Sequence, residues 1–525
     1  MRSYYSHLQA VKSVGEEVLI SQKPTFRSSA IFPVLHNQYY STRIIFMGYW
    51  LLKRNIKEIG LLYTLRDASG IILSRKYLLI NSAKAYSIQL SEFKEILGDD
   101  FTGSLELEIF STQDLVYPYP AFVLVYFGDN FSTAVHTVGR IYNDIEDLSK
   151  NEEYKVRESG FDIYGSNNLS PFVAFTNGPI ANTNPEICYE INNSRQEIVK
   201  GKFKIDALKA FETVFLKLKD YINLPEILGN EAGSIKLGHN LEGFFPRFAV
   251  GNFEEKAKSI SITHSYYDCS ELSDSKSFWN RKDELFNDSS VSIPLYITND
   301  FYTRIAIYPI FSPSDFKLSY TFYDEHGKQL KFLKDYHSIK SADNKYEQID
   351  FKAIARVEGI NTEEVKSVNL ICNWEAKDKI PTRIKFGLNI GNEKRLVELP
   401  CNICFAPMLG NPAILKKQGV FRWAPFLNLG TSEIALTNSS SLKDYATPAK
   451  VTITFHREED VKTKTRQISL PANATKFIRL ADDKELNDFF NGKSGWLTAQ
   501  SDNPFLNGYY FDFFESGAIA ADHIF

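Results

Sequence analysis

The sequence predicts an all-β protein of four β-sandwich-like domains in a tandem duplication, A1-B1-A2-B2, with a few short helices. Three observations predict it. Apolar and polar residues alternate with period two over many short stretches, the chain is rich in aromatic residues, and its two halves match each other in order and spacing.

The alternation is plain in Ile59–Leu65, Leu105–Ile109, Phe316–Phe322 and Lys450–Phe455, where every second residue is apolar, as in a half-buried strand. Turn residues such as Asp67-Ala68-Ser69-Gly70 and Asp324-Glu325-His326-Gly327 follow at hairpin spacing. The aromatic share of 14% comes from 40 Phe and 28 Tyr with only 5 Trp, a mix that suits pleated, half-buried surfaces. Repeated short strands of this kind build β-sandwiches.

The halves repeat. Tyr40-Ser41-Thr42-Arg43-Ile44 returns as Phe301-Tyr302-Thr303-Arg304-Ile305, and Tyr63–Gly70 returns as Tyr320–Gly327. The segment from Thr213 to Leu237 runs without a gap against Thr475 to Ala499, pairing Phe215 with Phe477, Asp220 with Asp482 and Gly233 with Gly495. Polar, charged or turn-rich stretches at Asn143–Glu158, Ser270–Ser290 and Pro407–Gly419 break the pattern. The resulting bounds are 1–145 for A1, 155–270 for B1, 285–406 for A2 and 418–525 for B2.

Asp206–Ile222 has helical apolar spacing, but its duplicate contains Pro471-Ala472-Asn473, and a proline inside a helix costs about 3 kcal/mol. Strand, bend, strand is therefore expected in both copies. Short helices are expected at Asn223–Leu228, with Pro225 in the first turn, and at Glu485–Phe490. A second pair is expected at Ser91–Leu97 and Asp350–Ala355, with Ser91 and Asp350 as N-caps.

Sixty basic against 64 acidic residues leave a net charge of −4, with no basic run to attract nucleic acid. The longest charge-free apolar stretch, Tyr117–Gly128, is too short and proline-broken for a membrane helix, so no membrane span is expected. His7, Lys12, Glu16 and Glu17 interrupt the start of the chain, and five scattered cysteines form no disulfide framework, which reads as a cytoplasmic protein. The common phosphate-loop, dinucleotide, zinc-protease and hydrolase motifs are missing. Cys401-Asn402-Ile403-Cys404 lacks a second ligand pair, so no metal and no cofactor are expected.

Candidate site residues gather in the first half. His136 and Arg140 stand four apart in the apolar run Phe131–Asn143, sharing one face of a strand, where a fixed cation and a titratable ring suit an anion or a sugar acid. Ungapped counting places Val397 and Cys401 at those positions in the second half. Arg247 sits among Phe244, Phe245 and Phe248. In Ile260–Ser270, the residues Ile260, Ile262, His264, Tyr266 and Asp268 share a face that starts apolar and ends polar. With one gap His264 aligns with His523, while nothing matches Asp268. Ser132, Ser265 and Cys269 lie next to histidines in sequence without showing nucleophile geometry.

The expected function is a non-enzymatic binding or assembly protein with an aromatic-lined polar site in the first half. Its partner is a carbohydrate-like or anionic small molecule held by Arg140, Arg247 and Tyr266. The alternative is an enzyme on a carbohydrate-like substrate, with His264 and Asp268, or His136, as catalytic general base. A structural component of a larger assembly is the third reading.

Overall fold

The computed structural model describes residues 25–115, 120–136, 138–141, 158–159, 161–245, 247–267, 278–280, 283–308, 315–340, 345–381 and 384–525. Short antiparallel strands dominate it, and its helices are single turns or little more. The all-β, sandwich-like expectation holds.

Among the described residues, and apart from two-residue strands such as Arg140–Ile141 and Tyr266–Tyr267, the strands fall into four sets of eight. In the first set, in chain order, they are Phe26–His36, Ser41–Met47, Ile59–Asp67, Ile72–Ile80, Ala85–Gln89, Phe101–Ser111, Val123–Gly128 and Phe131–His136. One sheet runs first-sixth-third-fourth and the other fifth-second-seventh-eighth. The same order recurs in the strands within 289–405 and within 420–523. It recurs again within 158–264, where the first strand is split into Glu158–Ser159 and Asp162–Tyr164, both paired with Ala232–His239. The second and fourth sets thus share the order of the first and third, a likeness no sequence match announced.

Period two sets the core. Ala30, Phe32 and Val34 point inward, opposite Leu107, Leu105 and Gly103, while Leu61, Tyr63 and Leu65 lie opposite Ile109, Leu107 and Leu105. Ile44, Phe46, Leu124 and Tyr126 of the second sheet belong to the same apolar cluster. A slip of one residue would turn each inward set to water, which fixes the register. The Asp67–Gly70 turn closes with Gly70 at φ +87, and a Cβ there would strike the carbonyl of Ala210. Gly327, φ +81, meets Ala472 in the same way.

The expected helices are present with shifted bounds. Leu224–Leu228 starts with Pro225 in its first turn, and Lys484–Phe490 is capped by Asp483. Phe351–Val357 is capped by Asp350, whose carboxylate accepts from the Ala353 amide at 3.0 Å. Ser91 is not a cap. A 3-10 turn at Leu90–Phe93 starts one residue earlier, closed by a reciprocal Gln89–Glu92 capping box. Asp206–Ile222 holds the strand Thr213–Lys217 and the 3-10 turn Leu218–Asp220, so the helix is absent, while its first part forms only an isolated bridge at Leu208. Tyr49–Lys53 is a short helix no pattern announced. Among the described residues no helix is long and apolar enough to cross a membrane.

Each set ends in an edge strand: β1 (Phe131–His136), β2 (Ser259–His264), β3 (Cys401–Phe405) and β4 (Ile519–His523). β1 packs against β2 and β4, and β3 packs against the same two, so the four edges close a ring. Polar contacts stitch it. The Ile262 amide donates to Thr133 Oγ1 at 3.0 Å, Ser261 Oγ to the Pro400 carbonyl at 2.8 Å, and the His136 amide to Asp522 Oδ2 at 3.0 Å.

Asp162 anchors the second set to the third. It is 3% exposed and accepts from Tyr346 Oη at 2.8 Å, Asn402 Nδ2 at 2.8 Å and Asn389 Nδ2. Burial pushes its carboxyl up, and those donors oppose the shift. Asp162→Ala would strand buried donors on two strands of the third set, with an expected stability loss of about 3 kcal/mol or more. Urea denaturation checks this, and a loss within about 0.5 kcal/mol would show that the contact contributes little.

Candidate functional site

Among the described residues, two places gather candidate functional side chains, at opposite ends of the ring strands.

The first is a histidine cluster where β1, β2 and β4 end. The His136 ring stands edge-on to His264 at 4.6 Å between centroids and tilted to His523 at 4.5 Å, with Phe525 at 5.8 Å. His136 Nδ1 lies 2.7 Å from Asp522 Oδ2, the oxygen that also accepts the His136 amide. Asp522 is 4% exposed, and its other oxygen accepts the His523 amide at 2.8 Å. Burial resists ionisation of this carboxyl, but His136 and His523 outweigh it and carry the group down to about 2.

His264 and His523 are set alike. His264 Nδ1 lies 2.8 Å from the Ser265 carbonyl, and His523 Nδ1 lies 3.0 Å from the Ile524 carbonyl. The ladders agree: His264 pairs across from Ala249, itself opposite Ala174, and His523 from Tyr509, itself opposite Ala435. Burial lowers His264 well below the ordinary imidazole range, with the charges of Arg247 and His136 adding to it. Burial also takes His523 down to about 4, with His136 and Lys385 acting in the same direction. Three strand sets thus meet at this point: His136 from the first, His264 from the second, and Asp522 and His523 from the fourth.

The structure therefore brings His136 and His264 together, while Arg247 acts on His264 through its charge. Arg140 is buried on the short strand Arg140–Ile141, its guanidinium 5.6 Å over the Phe245 ring, which is a packing position. Tyr266 pairs through its backbone with Ser159, its side chain being outside the described residues, as Asp268 and Cys269 are altogether. The carboxylate found facing the histidines is Asp522. No spacing pointed to it, because its partner His136 is 386 positions away in the chain. The one local signal was a carboxylate and a histidine ending the small-residue strand Ile519–His523.

One expected correspondence is corrected by the ladders. Thr42 faces Tyr126, which faces Thr133, whereas Thr303 faces Ile390, which faces Cys401. Cys401 therefore takes the place of Thr133, and Cys404 that of His136, instead of Val397 and Cys401 replacing His136 and Arg140. The loop before β3 is longer than the one before β1, and ungapped counting ignores the difference. Ser132 donates to Asp512 at 3.2 Å and Ser265 Oγ accepts the Phe248 amide at 2.9 Å, so both hydroxyls serve packing.

The second place is a cleft of about 390 Å³ between the first two strand sets. Tyr39, Tyr40, Phe101, Phe215 and Phe253 form its apolar wall, and Asn37, Asp100, Lys217, Glu255 and Lys258 bring polar groups to it. Asn37 Oδ1 accepts the amides of Tyr39 and Tyr40 at 2.8 and 2.9 Å, which holds the aromatic turn in shape. Tyr40 lies 6.1 Å from both Phe131 and Phe253. Lys258 Nζ stands 5.5 Å over the Tyr39 ring, and Lys217 Nζ 5.7 Å over Phe253. His136, His264, Arg140 and Arg247 do not line it. His136 and His264 end β1 and β2, about 16 Å along the strands from the cleft at roughly 3.3 Å per residue.

No protein-family model matches the chain, and no curated protein matches it. Among solved structures, a calcium-binding mutant of Bacteroides uniformis beta-glucuronidase 2 is 11% identical with a TM-score of 0.11. The match covers 46% of this chain and 26% of that one, so the chain spans about a quarter of that enzyme's length. At that TM-score the likeness carries no argument about fold or function.

The cysteines give a direct check on the burial described here. Cys372, Cys401 and Cys404 are free and buried, and burial pushes the Cys372 and Cys401 thiols up to about 12. A thiol reagent at neutral pH should leave these three unlabelled in native protein and label them after unfolding, as read by peptide mass spectrometry. Native labelling of Cys401 at the rate of the half-buried Cys188 would contradict the packing of β3.

Proposed function

We propose that the protein is a binding protein whose site is the aromatic cleft in the first half, and that its ligand is carbohydrate-like. The observation that carries this reading is the composition of the cleft. Flat aromatic faces suit the apolar faces of sugar rings, while Asn37, Asp100, Glu255, Lys217 and Lys258 offer both donors and acceptors for hydroxyls. The two lysines are balanced by Asp100 and Glu255, Lys258 Nζ lying 3.8 Å from a Glu255 oxygen, which suits a neutral sugar as well as an acidic one. Arg140, Arg247 and Tyr266, the residues expected from sequence to hold the ligand, take no part in this version of the site.

The separation of the two places counts against the enzyme reading that uses His136 or His264 as general base. A general base must reach the proton it removes to within hydrogen-bond distance, directly or through one water. His136 and His264 stand at the other end of their strands from the cleft.

The organisation of the chain belongs to the same proposal: domains spanning 1–145, 155–270, 285–406 and 418–525, related by tandem duplication. The strand order common to the four sets supports it. The cleft then lies where A1 meets B1.

A glycan array followed by titration calorimetry tests the site. Tyr39 is 46% exposed, so Tyr39→Ala and Lys258→Ala should leave the fold intact while weakening the best glycan at least tenfold, about 1.4 kcal/mol. Unchanged affinity in both variants, or no glycan bound by the wild type, would sink the reading.

A further inference from the structure

The histidine cluster has a feature that packing alone does not require. The Ser265 and Ile524 carbonyls only accept hydrogen bonds, so the Nδ1 atoms of His264 and His523 carry the ring protons. His136 differs: its Nδ1 lies 2.7 Å from Asp522 Oδ2, so the two candidate ligand atoms sit side by side. In His264 and His523 Nε2 is left with the lone pair. Among the described residues, Nε2 of His523 makes no hydrogen bond.

An imidazole that ligates a metal through Nε2 is held as His523 is, with Nδ1 donating to a backbone carbonyl that fixes the tautomer and orients the ring. His136 instead offers Nδ1 beside Asp522 Oδ2, where an ion takes the place of the proton between them. Ligand-capable atoms of His136, Asp522 and His523 all lie within 4.8 Å of one another. An ion at the centre of such a triangle is at most about 2.8 Å from each atom, and zinc needs roughly 2.0–2.2 Å to nitrogen and oxygen, so a shift of under about 1 Å closes the site.

We propose that His136, Asp522 and His523 form a binding site for one divalent transition-metal ion of the zinc class. Two imidazoles and one carboxylate select zinc, cobalt, nickel or iron over calcium and magnesium, which take shells of oxygen. Three protein ligands leave a position open. The site joins β1 to β4, the first strand set to the last, so a bound ion adds a bond across the ring that the folded chain already makes through His136 and Asp522. The sequence expects no metal, since its only paired-ligand motif is Cys401–Cys404. This site is assembled from residues at distant points of the chain.

The test uses the full-length, tag-free protein, stripped with chelator and dialysed against zinc, with bound metal counted by mass spectrometry. One equivalent per chain is expected at about 10 μM free zinc, falling at least tenfold in His136→Ala and in His523→Ala, while the exposed His326→Ala keeps full binding. Zinc should raise the melting temperature of the wild type and leave both site variants unmoved. Cobalt added to the stripped wild type should give visible ligand-field bands displaced by zinc, a reading that needs no variant to fold. Less than about 0.1 equivalent of zinc with no cobalt bands, or full binding in both site variants, would overturn the proposal.

Discussion

Four sheet edges turned toward one another are the constraint on which the rest of this structure depends. An edge strand presents a row of unpaired amides and carbonyls that invites aggregation unless it is covered, charged or bent away. Here β1, β2, β3 and β4 cover each other in a closed ring, so the inner sheet of every strand set has one of its two edges covered at the same place. The polar contacts follow from this arrangement. Thr133, Ser261, Asp162 and Asp522 each satisfy donors or acceptors that the meeting edges would leave buried.

The ring also explains why polar and aromatic side chains from separate strand sets collect at its ends. Strands of five or six residues are short, so the last side chain of each lies close to its neighbours across the ring, and the loops that follow lie close as well. At one end this places His136, His264 and His523 in contact. At the other, the turn after Phe26–His36 and the turn after Ala249–Glu254 flank the aromatic cleft. Rings and charged groups from separate strand sets meet in both places.

Much of the fold was legible because each element obeys a local rule. Alternation located Ile59–Asp67, Phe316–Tyr323 and Ala449–Arg457, Asp350 announced its helix as a cap, and Pro471 rightly removed the helix suggested by Asp206–Ile222. The sites were less legible because they are made by contacts between strand sets. Asp522 is paired with His136 across most of the chain, and the cleft is walled by turns whose separate sequences carry no common pattern. Counting along the chain misplaced the counterpart of His136, since loops of unequal length precede β1 and β3 and only the ladders compensate for them.

If the ring is the common support of all four strand sets, its strands open only when the whole protein unfolds. Native-state hydrogen exchange measures this directly. Peptides covering 131–136, 259–264, 401–405 and 519–523 should exchange at one slow, shared rate, set by global unfolding, and should accelerate together when Asp162 is replaced by Ala. Four separate rates, or one of these strands exchanging as fast as the outer-edge strands Ile72–Ile80 and Thr463–Leu470, would contradict the account.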